Sequence, residues 1–103
     1  MSTILQFAIF PTDKGSSVNS YVSKAIDAIK SSGVPYQLTS MSTIIETETL
    51  EEALAIVARA KKAIEPFADR VYLSINADIR QGECGRMEHK VQAIQQKIVD
   101  VNL

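Results

Sequence analysis

A chain of 103 residues, 46% hydrophobic and 22% charged, has the size and composition of one small domain, residues 1–103, and leaves no room for a second. Eleven lysines and arginines against twelve aspartates and glutamates give a formal net charge of -1, so the cationic surface with which nucleic-acid binders neutralise phosphates is not expected. No apolar run approaches the ~20 residues needed to cross a bilayer, and Met1 to Pro11 lacks the basic start and cleavage site of a secretory signal; the expectation is a cytoplasmic protein with neither nucleic acid nor membrane as partner.

Ile4 to Phe10 alternates as a strand, with Leu5, Phe7 and Ile9 on one face and Gln6 and Ala8 on the other, and Pro11 is expected to stop it. After a loop over Thr12 to Gly15, Ser16 or Ser17 can cap a helix whose Val18, Tyr21, Val22, Ala25, Ile26 and Ile29 repeat with helical spacing. Gly33 is placed to end that helix in the left-handed conformation. Tyr36 to Thr39 and Ser42 to Glu48 are short strands separated by Ser40 and Met41, which predicts a hairpin pairing Leu38 with Thr43 and Tyr36 with Ile45. Thr49-Leu50-Glu51-Glu52 has the spacing of a capping box. The helix it opens carries a stripe of Leu54, Val57 and Ile64, filled in by Ala53 and Ala60, and ends near Pro66.

Arg70 to Arg80 is the most regular strand. Val71, Leu73, Ile75, Ala77 and Ile79 alternate with Tyr72, Ser74, Asn76, Asp78 and Arg80, which predicts one buried and one polar face. Past a turn at Gly82 to Gly85, the residues Met87, Val91, Ile94, Ile98 and Val101 step by four, three, four and three, the narrow stripe of a helix that packs against a partner or its own sheet. The order β-α-β-β-α-β with a C-terminal helix is that of an α+β, ferredoxin-like sandwich, in which a four-stranded antiparallel sheet carries two helices on one face and leaves the other uncovered.

With that hairpin register, Tyr36, Leu38, Thr43 and Ile45 point towards the helices, and Gln37, Ile44, Glu46 and Glu48 point away. Together with Gln6, Ser74, Asn76, Asp78 and Arg80 they give the uncovered face amide, carboxylate and guanidinium groups suited to a small polar ring, although a solvated polar face explains the same pattern. Catalytic readings are weaker. Ser16 and Ser17 have no histidine near them in sequence, and the lone Cys84 and lone His89 match no nucleophile or metal spacing and leave no intrachain disulfide to form. Gly82 and Gly85 belong to neither a Walker loop nor a dinucleotide fingerprint. Glu46 and Glu48 are paired carboxylates that acid–base chemistry can use, and a charged strand edge explains them equally.

Phe10-Pro11, Ser17-Val18 with Tyr21-Val22, Gly33 with Tyr36, Met41-Ser42-Thr43-Ile44-Ile45-Glu46, Asp69-Arg70-Val71, Arg80, and Met87 with Lys90-Val91 form a series in fixed order along the chain. This series resembles the small thiamine-binding protein family, single-domain relatives of the YkoF-type thiamine and hydroxymethylpyrimidine binders. The resemblance implies a homo-oligomer, a tetramer built as a dimer of dimers, that binds thiamine or its hydroxymethylpyrimidine moiety without catalysis, and it implies no further cofactor. The family's Thr-x-x-Glu-Gly stretch falls on Thr43 to Thr47, so Thr43 and Glu46 match while Thr47 replaces the glycine. A threonine there favours a regular strand, which places Thr43 and Glu46 on opposite faces. An aminopyrimidine presents a ring nitrogen beside an exocyclic amine, an edge that a carboxylate or amide matches with two parallel bonds. The expected ligand contacts are therefore Glu46 and Asn76, with Thr43, with Arg80 for an anion or an interface, and with Tyr36 or Tyr72 as a flat wall. Two other functions fit the residues: an oligomerisation module without ligand, and a small ferredoxin-like hydrolase or oxygenase acting through Arg80, Asn76 and the glutamates.

Overall fold

The computed structural model describes residues 1–15 and 18–102. The elements follow the order β1 (Ser2–Pro11), α1 (Asn19–Ser32), β2 (Tyr36–Leu38), β3 (Thr43–Thr47), α2 (Leu50–Ile64), β4 (Val71–Arg80) and α3 (Arg86–Gln95), with a short 3₁₀ turn at Glu65–Phe67. The four strands form one antiparallel sheet in the order β2-β3-β1-β4. This is the ferredoxin-like α+β arrangement. Its core is made where the odd-numbered residues of β1 meet two helices: Leu5, Phe7 and Ile9 are buried with Ile45 of β3, Ala25 and Ile29 of α1, and Ala53, Ile56, Val57, Ala60 and Ile64 of α2. No helix is long and apolar enough to cross a membrane among the described residues.

Local chemistry sets the element ends. Thr49 accepts from the Glu52 backbone N–H and donates to its carboxylate, both at 3.2 Å, closing the capping box of α2. Gly33 ends α1 with φ +79°, the left-handed conformation expected of it. The hairpin turns at Ser40-Met41, with Thr39 and Ser42 bonded across it at 2.8 Å and Leu38 opposite Thr43, as the register requires. The proposed serine caps at Ser16 and Ser17 lie outside the described residues.

Several expectations are corrected. β1 runs on through Pro11, which sits opposite Val71 at an end of the ladder where its missing N–H costs nothing. Leu54 is exposed, and Ile56 takes the core position in α2. The apolar face of the last strand is not buried. Register places Leu73, Ile75 and Ala77 beside Ile9, Phe7 and Leu5 on the helix side, yet Leu73, Ile75 and Ile79 keep 41%, 37% and 46% of their surface. The reason is position, because α1 and α2 lean on β1 and β3 and leave the edge strand β4 overhanging. The last helix is shorter than its stripe, ending at Gln95, with turns beyond it and Asp100 at φ +60°. Finally, the sheet face opposite α1 and α2 is not wholly uncovered, since the first turn of α3 folds across it against β1.

Candidate functional site

Antiparallel register aligns the even-numbered residues of β1 with those facing the same way on β3 and β4. Gln6 lies between Ile44 and Asn76, and Ile4 lies between Glu46 and Asp78, while Ser2 pairs with Arg80. Of the residues expected at the site, Glu46, Asn76 and Arg80 therefore share this face. Thr43 and Tyr36 project to the other side, Thr43 nearly buried and Tyr36 packed on the core. The regular pairing of β3, from Thr43 opposite Phe7 to Thr47 opposite Thr3, produces the split expected of a threonine in place of glycine.

Glu46 is 3% exposed, an unusual burial for a carboxylate. Its Oε2 accepts from the Ser2 hydroxyl at 2.9 Å, the Gly85 N–H at 2.8 Å and the Arg86 N–H at 3.1 Å, and its Oε1 accepts from the Met87 N–H at 3.1 Å. Those backbone groups are the unpaired donors at the start of α3, so a carboxylate from the sheet caps the helix that no side chain of its own caps. Burial by itself raises the Glu46 carboxyl; the hydrogen bonds from Met87, Ser2, Arg86 and Gly85 outweigh it and hold the group below its ordinary value. Glu48, past the end of β3, is exposed and forms no carboxylate pair with it.

Arg86 is the residue of this polar cluster that sequence patterning misses. Its Nε donates to the Ser2 hydroxyl at 2.9 Å and its Nη2 to the carbonyls of Ser2 at 2.8 Å and Asp78 at 3.0 Å. Its Nη1 meets the Asp78 carboxylate at 3.0 Å, and Lys90 Nζ reaches the same oxygen at 2.9 Å. The hydrogen bond from Lys90, then that from Arg86, lowers the Asp78 carboxyl. The only sequence signal was the placement of an arginine directly after Gly85, at a helix start where cations are disfavoured.

Beside this clamp lies a groove of about 260 Å³ lined by Ile4, Gln6, Ile44, Asn76, Ala77 and Asp78. Its apolar lining is the two isoleucines and Ala77, and its polar groups are the Asp78 carboxylate and the amides of Gln6 and Asn76, cross-strand neighbours in the ladder. An amide offers a donor and an acceptor together, which is what the edge of a small heterocycle requires. At the far end of the same face Phe10 and Tyr72 pack ring to ring, centroids 5.3 Å apart. Cys84 is exposed, and no cluster of three or more metal-ligating side chains occurs among the described residues.

A four-stranded ferredoxin-like sandwich with an amide-bearing groove on the sheet face opposite α1 and α2 defines a class of α+β domain whose role fold alone does not resolve further. The comparisons with known proteins do so. Residues 5–95 match the family model described as thiamine-binding protein, and the chain belongs to that family. It is 34% identical over 99 residues to UPF0045 protein Mb1933 of Mycobacterium bovis, covering 96% of this chain and 97% of that one. The crystal structure of hypothetical protein MJ1052 of Methanocaldococcus jannaschii superposes with a TM-score of 0.81 at 30% identity over 92% of this chain and 97% of that one. A domain of unknown function, DUF77, from Bacillus cereus superposes with a TM-score of 0.80 at 28% identity, over 96% of this chain and 95% of that one.

Proposed function

We propose that the protein binds thiamine or its hydroxymethylpyrimidine moiety, without turning it over, in the groove between Gln6, Ile44 and Asn76. The observation that carries this reading is the pair of neighbouring amides beside two isoleucines in a member of the thiamine-binding protein family. Asn76 takes the aminopyrimidine edge through its amide, and Ile4 and Ile44 supply the apolar contact beneath the ring. Glu46 acts at one remove, holding α3 across the end of the groove, while Arg80 lies beyond that helix start. A carboxylate held below its ordinary value by four hydrogen bonds is a poor general base, which favours binding over catalysis.

The same reading includes a homo-oligomer, with a tetramer as its expected size. Two apolar surfaces support it: the overhanging side of the unpaired edge strand β4, and the C-terminal stripe, where Val91 and Ile94 of α3 and Ile98 beyond its end keep 41%, 46% and 54% of their surface. A long edge strand with apolar side chains left bare is a template for pairing. We place the protein in the reducing cytoplasm, where an exposed lone thiol such as Cys84 persists.

Thermal unfolding with and without thiamine tests the binding reading. Ligand that binds only the folded form raises stability, by about 2.7 kcal/mol at a hundredfold excess over Kd. Hydroxymethylpyrimidine should give the same response, the thiazole moiety none, and Asn76→Ala should remove the effect while the protein remains folded. No response to thiamine or the pyrimidine would leave the exposed apolar surfaces as the function and the protein as an oligomerisation module.

A further inference from the structure

We propose that the cleft between the end of β4 and the first two turns of α3 binds a phosphate-type anion, as inorganic phosphate or as the phosphoryl group of a phosphomonoester. This site is separate from the amide groove and stands independently of what that groove holds. The cleft has a volume of about 520 Å³, and its wall includes Arg80, Arg86, His89 and Lys90 against a single lining carboxylate, Glu83. Arg86 and Lys90 share one partner, Asp78, behind the wall. Three cationic side chains, Arg80, Arg86 and Lys90, stand here against Asp78, Glu83 and the Glu46 carboxylate bound at the helix start, in a chain whose overall balance is -1. Arg80 is exposed and has no ion-pair partner among the described residues.

The start of α3 does not itself supply the anion site. Its first N–H groups are already bound to Glu46, so recognition falls to side chains. Their chemistry differs in a useful way: Arg80 offers a planar fork that matches two phosphate oxygens, His89 a single ring N–H, and Lys90 a compact charge. A tetrahedral anion can turn a separate oxygen to each of the three donors, whereas a planar carboxylate must share two oxygens in one plane among them. The loop on the open side allows close approach, because Gly82 and Gly85 hold φ of +120° and +102° and have no atom within 4 Å of the position a side chain would take.

The chain has one histidine and one cysteine, and both line this cleft, so each reports on a single site. Inorganic phosphate titrated into the full chain near neutral pH, with ionic strength held constant by chloride, should move the His89 ring signals in NMR along a saturating curve and slow alkylation of Cys84. Arg80→Ala should weaken that response by about tenfold or more, because it removes a charge-assisted bidentate contact. Lys90→Gln, at a side chain 59% exposed, should weaken it less, with circular dichroism and the amide spectrum of α3 checked because the same side chain pairs with Asp78. Phenyl phosphate in place of inorganic phosphate separates the sources: tighter binding of the ester assigns the cleft to phosphomonoesters, tighter binding of the free anion assigns it to phosphate, and either supports the site. A response that does not saturate, that chloride alone reproduces, or that Arg80→Ala leaves unchanged overturns it.

Discussion

The Arg86 guanidinium clasps Ser2 from two sides, donating from Nε to its hydroxyl at 2.9 Å and from Nη2 to its carbonyl at 2.8 Å. The Ser2 hydroxyl passes its own hydrogen to Glu46, which in turn accepts from the backbone of Arg86. Strand β1, strand β3 and helix α3 are thus closed into one polar ring. No residue of α3 is buried, so this ring and the Asp78 ion pairs, rather than apolar packing, fasten the helix to the sheet.

Glu46→Gln keeps the shape of the side chain and turns one acceptor oxygen into a donor that faces N–H groups. The docking of α3 should weaken by about 2–3 kcal/mol, since hydrogen bonds to a charged acceptor are lost and a buried donor is left unpaired. Hydrogen exchange should accelerate at residues 86–95 while β1, β3 and α2 stay protected. Uniform acceleration across the chain would show that Glu46 supports the whole fold instead.

Acid should release the same helix. The folded-state carboxyl of Glu46 lies below its unfolded value, so the stability it contributes is fully present above roughly pH 4.3 and is lost as pH falls through the folded value. Asp78 is lowered as well, by its hydrogen bonds from Lys90 and Arg86, and acts in the same direction. NMR between pH 6 and pH 3 should show the amide signals of Gly85, Arg86 and Met87 shifting before those of the core strands. Glu46→Gln should reduce that early step to the part that Asp78 contributes.

Arg86→Lys retains the charge and loses the fork. A single ammonium cannot serve the Ser2 hydroxyl, two carbonyls and the Asp78 carboxylate together, so α3 should be loosened by about 1–3 kcal/mol despite the conserved sign. Proteolysis after residue 80 should become faster in this variant. Unaltered cleavage would reduce the arginine to a surface charge.

Ile75→Lys places a charge on the overhanging side of β4, on a side chain that is 37% exposed in the single chain. If β4 is an assembly edge, sedimentation velocity should show the wild-type chain as an oligomer and the variant as a smaller species with its circular dichroism intact. A monomeric wild type at micromolar concentration would dismiss the assembly.

What could be read from the sequence was what depends on local pattern. Alternation marked β1 and β4, the spacing of Thr49 and Glu52 marked a cap, and Gly33 marked a helix end. The hairpin register came out residue for residue, because a slip by one would turn Ile45 out of the core. The overhang of β4 was illegible for the opposite reason: alternation reports which residues share a face, and the reach of α1 and α2 across that face is set by helix packing. At the candidate site, Asn76 and Gln6 were placed correctly on one face by period two. The fate of Glu46 depended on where a helix forty residues later begins, and Arg86 sat outside every pattern until Ser2 and Asp78 were brought beside it.

The ladder between the first and last strands runs from Pro11 opposite Val71 to Ser2 opposite Arg80, and so joins the two ends of the fold. Pairings so distant in sequence are slow to form, because the chain must close its longest loop before any of them is rewarded. On a ribosome β1 waits with one side open until β4 has emerged, and the ring around Ser2 closes only after Arg86 follows it. Assembly of the sheet therefore precedes seating of α3, and a chain halted before residue 86 would carry Glu46 as a solvent-facing charge on an otherwise completed sheet.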